Sequence, residues 1–100
     1  MPYYSVLAVT PTNPDWIPDY ISAASALVAK HGGQYLARTA SHERLEGEGP
    51  DAALRVIVQW PTKQAAIAFM SDPEYQPQLK ARTAGSDSQH FLIAGKDEFA

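Results

Sequence analysis

Two adjacent glycines, Gly32 and Gly33, separate a helix-like pattern from a strand-like one, and this change in periodicity is the strongest constraint on the fold. Before them, apolar residues recur at steps of three and four, as on one face of an amphipathic helix: Ile17, Tyr20, Ile21, Ala24, Leu27 and Val28. Glycine readily adopts the left-handed conformation that closes many helices. We therefore expect a helix over residues 14–31 that leads into a long second strand over residues 34–46.

We expect three further strands, over residues 3–10, 54–60 and 89–95. The first is rich in aromatic and β-branched residues, which are typical of strands. Residues 47–51 read Gly-Glu-Gly-Pro-Asp and predict the turn of a hairpin between the second and third strands.

A second helical region follows the third strand. Thr62 is placed to cap a helix over residues 63–70, because its hydroxyl can accept a hydrogen bond from a free amide of the first turn. Residues 71–74 read Ser-Asp-Pro-Glu, which has the form of a capping box and predicts a further helical piece through Arg82. The resulting order, β-α-β-β-α-β, predicts the α+β class and a ferredoxin-like sandwich with both helical regions on one face of a four-stranded antiparallel sheet.

Composition limits the size and the chemistry of the molecule. One hundred residues, 45% of them hydrophobic, predict a single domain over residues 1–100. The net charge is −3 and the eight Lys and Arg residues are scattered, so we expect no nucleic-acid partner. The absence of cysteine excludes thiolate catalysis and Cys-based metal sites. The apolar run at residues 6–9 is too short for a membrane span, and we expect no membrane partner and a cytoplasmic location.

The third strand alternates in a way that assigns its two faces. Val56, Val58 and Trp60 form an apolar set suited to the helices, and the alternate set, which includes Ile57, faces the other side of the sheet. The apolar area of that open face invites a partner. We expect a homodimer in which two sheets face each other and enclose a pocket.

Several short motifs, taken in order along the chain, resemble the bacterial family known as domain of unknown function 1330. They are Gly32-Gly33-x-Tyr35-Leu36-x-Arg38, Leu45-Glu46-Gly47, Trp60-Pro61-Thr62 and Ser71-x-Pro73-Glu74-Tyr75, with Arg82 beyond. The resemblance spans nearly the whole chain. It implies membership of the dimeric α+β barrel superfamily, with a ferredoxin-like protomer whose sheet faces that of its partner across a central cavity.

Two arginines are the leading candidates for ligand binding. Arg38 and Arg55 lie on neighbouring predicted strands, and two converging guanidinium groups would bind a small carboxylate or enolate. The alternative is that each pairs with Glu43, with Glu46 or with an acid of the partner. Glu46 and the hydroxyl of Tyr75 are further candidate ligand contacts, and for Tyr75 the alternative is core packing.

His42 and His90 are the candidate catalytic residues, because imidazole exchanges protons near neutral pH. An exposed strand position for His42 and a packed cavity wall for His90 are the alternatives. His31 lies in the last turn of the predicted helix, where histidine favourably meets free carbonyls. We expect no metal site, since neighbouring strand residues such as His42 and Glu43 point to opposite faces, and no cofactor.

These features predict a small homodimer that binds a small anionic or carbonyl-bearing metabolite. The superfamily resemblance implies cofactor-free isomerisation or oxygenation if the protein is an enzyme. A non-catalytic dimerisation or ligand-sensing module, in which the arginines are structural, is the alternative.

Overall fold

Four strands and three helices make up the structure, a computed structural model that describes residues 1–100. In chain order they are β1 (Tyr3–Pro11), α1 (Ile17–Lys30), β2 (Gln34–Thr39), β3 (Leu54–Trp60), α2 (Lys63–Ser71), α3 (Gln76–Ala84) and β4 (Ser86–Ala94). The strands form one sheet in the order β2-β3-β1-β4, and every neighbouring pair is antiparallel. The predicted α+β class and ferredoxin-like element order are confirmed, with α2 and α3 as the two pieces of the second helical region.

The core lies between the helices and one face of the sheet. Val56, Val58 and Trp60 are buried there, as the alternation of β3 predicts. The opposite face carries apolar side chains that remain accessible, among them Ile57, and Phe91, which is 63% exposed. No helix is long and apolar enough to cross a membrane.

Helix ends follow local sequence signals, with one correction. Thr62 caps α2 as predicted, since its side chain accepts a hydrogen bond from the amide of Ala65 at 3.1 Å. The predicted capping role of Ser71 is wrong, because Ser71 is the last residue of α2. Asp72, the C-cap of α2, accepts a hydrogen bond from the amide of Glu74 at 2.9 Å in the turn between α2 and α3, and the N-cap of α3 is Tyr75, which makes no side-chain cap bond.

The glycine pair ends α1 as expected, and the structure requires glycine at the two positions for different reasons. Gly32 has a φ of +78°, the left-handed conformation that glycine adopts without strain. A Cβ on Gly33 would lie 2.7 Å from the ring of Trp60, so the chain packs too closely against the core here for any residue but glycine.

β2 is shorter than predicted. It ends at Thr39, which pairs with Arg55 of β3. β3 begins at Leu54, only one residue before Arg55. A longer β2 would have no strand to pair with, so residues 40–53 form a loop. The expectation that His42 lies on a strand is therefore wrong.

A β-bulge in β2 decides which way its side chains face. The register shifts between Tyr35 and Ala37, so that Tyr35 lies opposite Val58 and Arg38 lies opposite Val56. Both therefore face the helices, whereas simple alternation would place Tyr35 and Arg38 on opposite faces. Arg55, next to Val56, faces the open side. The predicted convergence of Arg38 and Arg55 on one cavity is wrong, because the sheet lies between them.

Candidate functional site

A cavity of about 310 Å³ lies between the helices and the sheet, within a single protomer. Its walls are mostly aliphatic and aromatic. The polar groups on its lining are the side chains of Ser5, Arg38, Arg82 and His90 and the hydroxyls of Tyr20, Tyr35 and Tyr75. The cavity is thus on the helix side of the sheet, whereas the sequence placed a pocket on the open side, between two sheets.

One row of directly opposed residues crosses the cavity floor from edge to edge of the sheet. Arg38 on β2 lies opposite Val56 on β3, Val56 opposite Leu7 on β1, and Leu7 opposite His90 on β4. The row therefore has an apolar middle and a polar group at each end.

Arg82 is a buried cation without an acidic partner. It lies in the last turn of α3 and is only 4% exposed. One terminal nitrogen donates to the hydroxyl of Ser88 at 2.7 Å, and the Nε–H has no hydrogen-bond partner. Its guanidinium carbon is 5.9 Å from the centre of the Tyr20 ring. Burial of an unpaired charge costs free energy, which an incoming anion would offset.

Sequence reasoning missed Arg82 as a site residue, although a signal was present. Tyr75, Leu79 and Arg82 are spaced by four and three residues and so share one helix face. Tyr75 is buried and Leu79 packs against the core. An arginine that continues an apolar stripe is directed inwards, where its charge needs a partner.

His90 belongs to a hydrogen-bonded chain with Ser5 and Trp60. The indole Nε1 of Trp60 donates to Ser5 Oγ at 2.8 Å, and Ser5 Oγ lies 2.7 Å from His90 Nε2. Ser5 is 2% exposed and its hydroxyl has no other partner, so it donates to His90. His90 Nε2 is then an acceptor, and the ring proton is on Nδ1. Burial, and then the charge of Arg82, lower the pKa of His90, so the ring is neutral near pH 7.

Tyr75 lines the cavity and is also part of the core, so both of its expected roles are compatible with the structure. It is 1% exposed, and its ring centre lies 4.2 Å from that of Phe69. The hydroxyls of Tyr75 and Tyr20 are 2.7 Å apart. Burial, followed by Tyr75, raises the pKa of Tyr20 above its usual range. Tyr20 is therefore a protonated hydroxyl and not an anion that could neutralise Arg82.

Arg38 stands at the accessible side of the cavity. Its guanidinium stacks over the ring of Tyr35, 3.9 Å from the ring centre, and donates to Ser25 Oγ on α1 at 2.9 Å. It forms no ion pair with Glu43, Glu46 or any other acid of the chain. Stacking and one hydrogen bond hold the guanidinium in place and leave most of its N–H groups free for a ligand.

The other predicted site residues form a separate group, with His42 and Glu46 on the loop of residues 40–53 and Arg55 near the start of β3. A second cavity of about 240 Å³ there is lined by His42, Glu46 and Arg55, among others. Arg55 donates to Asp51 at 2.9 Å, and this bond lowers the pKa of Asp51. Arg55 thus has the ion-pair role considered as its alternative, with Asp51 as the acid. The structure contains no group of three His, Asp or Glu side chains placed to hold a metal ion.

The four arginines of the chain form two pairs that differ in whether an acid lies beside them. Arg44 and Arg55 lie on the loop side and contact Asp51 at 3.9 Å and 2.9 Å. Arg38 and Arg82 line the main cavity, and no Asp or Glu lines it with them. A chain of net charge −3 therefore encloses a cavity whose only charged side chains are cations.

Solved structures with the same fold include proteins of unknown function and one enzyme. A protein of unknown function from Rhodopseudomonas palustris aligns with a TM-score of 0.77 at 18% identity, over 96% of this chain and 83% of its own. A dimeric ferredoxin-like protein of unknown function from a Jannaschia species aligns with a TM-score of 0.75 at 12% identity, over 94% of this chain and 99% of its own. A mutant of SnoaB, a cofactor-independent oxygenase from Streptomyces nogalater, aligns with a TM-score of 0.69 at 20% identity, over 98% and 96% of the two chains.

These likenesses confirm the ferredoxin-like fold and, at such low identities, nothing more. No curated protein matches the chain. The sequence profile of one family matches residues 2–96, nearly the whole length. This confirms the resemblance found from the motifs, and the chain belongs to the family described as domain of unknown function DUF1330.

Proposed function

We propose that each protomer binds a small anionic or carbonyl-bearing metabolite in the cavity between the helices and the sheet. The observation that carries the proposal is Arg82, a buried cation without an acidic partner on the lining of a cavity that no acid lines. Natural ligand cavities combine apolar walls with a few placed polar groups, and this cavity has both. Arg82 would bind the negatively charged group inside the cavity, and Arg38 would contact the ligand at the accessible side.

His90 is the proposed proton acceptor if the protein is an enzyme. A neutral imidazole beside a buried arginine could take a proton from an acidic C–H or O–H group by way of Ser5, whose hydroxyl would pass its own proton to Nε2 and receive that of the ligand, while the arginine stabilises the resulting enolate or phenolate. Such a step suits cofactor-free isomerisation or oxygenation, and a cofactor-independent oxygenase shares the fold. The proposal keeps His90 and not His42, since His42 lies on the loop away from this cavity.

We propose further that the protein is a homodimer joined through the open face of the sheet. One row across that face, Ala37, Ile57, Val6 and Phe91, contains only apolar side chains. Exposed apolar area of this kind favours a second copy of the chain, and one protein of the same fold is dimeric. The same face supports the second candidate function, a dimerisation or ligand-sensing module without catalysis.

Thermal denaturation with a panel of small carboxylates and 2-oxo acids tests the binding proposal. We expect some of these acids to raise the Tm of the wild-type protein and not that of Arg82→Met. The matched control is Arg55→Met, which removes an arginine outside the cavity and should keep the response. If no acid raises the Tm, or if Arg82→Met responds as the wild type does, the cavity is not an anion site.

Turnover separates the two candidate functions. An enzyme of the proposed class would consume the bound acid and would lose this activity in His90→Gln while still binding it. A protein that binds the acid, leaves it unchanged and alters its dimer affinity on binding would be a sensing module.

A further inference from the structure

We infer that the ligand carries two anionic groups, one at each end of an apolar body, with one end at Arg82 and the other at Arg38. This inference rests on the proposed function and specifies the chemical class of the ligand. It follows from where the two arginines lie relative to the sheet, from what lies between them, and from the donors that each has free.

The two arginines are at opposite edges of the sheet. Arg38 belongs to β2, and Arg82 is held by its hydrogen bond to Ser88 of β4. β3 and β1 lie between these two edge strands. Since neighbouring strands are about 4.8 Å apart, the backbones of β2 and β4 are separated by roughly 14 Å. Both side chains reach over the cavity, so the groups that they bind are closer together than the backbones.

The space between the arginines suits an apolar body. Val56 and Leu7 form the floor between Arg38 and His90. The rings of Tyr20, Tyr35 and Tyr75 belong to the same lining. Aliphatic and aromatic walls favour an apolar group, and a flat ring can stack on the tyrosines.

Each end offers hydrogen-bond donors that the protein leaves unused. A guanidinium carries five N–H donors. Arg82 uses one terminal nitrogen for Ser88, and its Nε–H is unpartnered. Arg38 uses one terminal nitrogen for Ser25, and Tyr35 covers one face of its guanidinium, which leaves an N–H edge for a carboxylate. No acid lines the cavity to repel either anionic group.

Two pairs of rigid acids test the inference by isothermal titration calorimetry. Benzoate is compared with benzene-1,4-dicarboxylate, and biphenyl-4-carboxylate with biphenyl-4,4′-dicarboxylate, so that two lengths are sampled. For the pair whose dianion has the length that spans Arg38 and Arg82, we expect the wild-type protein to bind the dianion about tenfold or more tightly than the monoanion. One additional charge-assisted contact implies a difference of this size. Arg38→Gln should lose this preference and keep its affinity for the monoanion. Arg55→Gln, the control outside the cavity, should keep the preference.

The outcomes distinguish this inference from the proposal on which it rests. Equal affinities for monoanion and dianion in the wild type, or a preference that survives in Arg38→Gln, would overturn the two-ended ligand. If Arg82→Met then still abolishes binding of the monoanion, the anion site itself stands. If the wild type binds none of the four acids while an acid of the thermal screen still raises its Tm, the two-ended ligand is overturned and the anion site stands; if no acid of either set binds, both proposals fail. Circular dichroism of each variant establishes that it is folded, and Arg82→Lys provides a second variant that keeps the charge.

Discussion

Replacement of Arg82 by methionine should make the ligand-free protein more stable. Methionine is similar in length and has no charge to desolvate. The buried, unpaired guanidinium costs several kcal/mol of desolvation free energy, which the substitution removes. The substitution also removes the charged hydrogen bond to Ser88, worth about 1.5–3 kcal/mol, and a favourable position at the end of α3, worth about 0.3–1 kcal/mol.

With the desolvation gain taken as about 4 kcal/mol and the losses as roughly 2–4 kcal/mol in total, the net stabilisation is roughly 0–2 kcal/mol, centred on about 1 kcal/mol. Ser88 is partly buried, and we take its hydroxyl to bind water after the change, so that it adds no further penalty. For a domain of this size, about 1 kcal/mol corresponds to an increase in Tm of roughly 4–8 °C. Urea denaturation of wild type, Arg82→Met and the control Arg55→Met, without ligand, measures the effect. A loss of 1 kcal/mol or more in Arg82→Met would contradict this prediction, since it would mean that Arg82 stabilises the ligand-free fold.

Three other predictions concern the histidine, the open face and the glycine pair. The free energy of unfolding should fall as the pH drops below about 6.5, because His90 has a lower pKa in the folded protein and the unfolded chain therefore binds the proton first. Urea titrations should show a smaller fall in His90→Gln, and an unchanged fall would contradict this. Phe91→Glu should convert a dimer into monomers in light scattering, while Phe99→Glu, a change in the exposed C-terminal tail, should not. Gly33→Ala should lower stability by about 1–3 kcal/mol in urea denaturation, because its Cβ would meet Trp60, and an unchanged stability would contradict this.

Local signals in the sequence were sufficient for most of the fold. β3 has the predicted bounds because its alternation is regular and its inner face is wholly apolar. Thr62 caps α2 because an N-cap depends only on residues within one helical turn. These elements need no information about distant parts of the chain.

The features that local signals could not predict depend on long-range pairing. The end of β2 is set by where β3 begins, and the bulge after Tyr35 is visible only in the register of the two strands. That bulge places Arg38 on the helix side and separates it from Arg55. The candidate site was therefore predicted in part: Arg38, Tyr75 and His90 share the main cavity, whereas His42, Glu46 and Arg55 line a different one.

The role of Arg82 could not be predicted from local signals either, because it depends on how distant parts of the chain pack together. Its position on the apolar stripe of α3 was visible in the sequence, but the absence of an acidic partner depends on which residues of β4 and α1 surround it. An arginine on such a stripe often meets a carboxylate, and the sequence alone does not distinguish that case from this one.

Binding of an anion at Arg82 can be followed by the NMR signal of the Arg82 Nε–H group. This signal, assigned by its loss in Arg82→Lys, should be visible because the group is buried. When an acid identified by the thermal screen is added, we expect the Nε–H signal to shift and the shift to saturate together with binding. Saturation of binding with no change in that signal would show that the acid does not bind at Arg82.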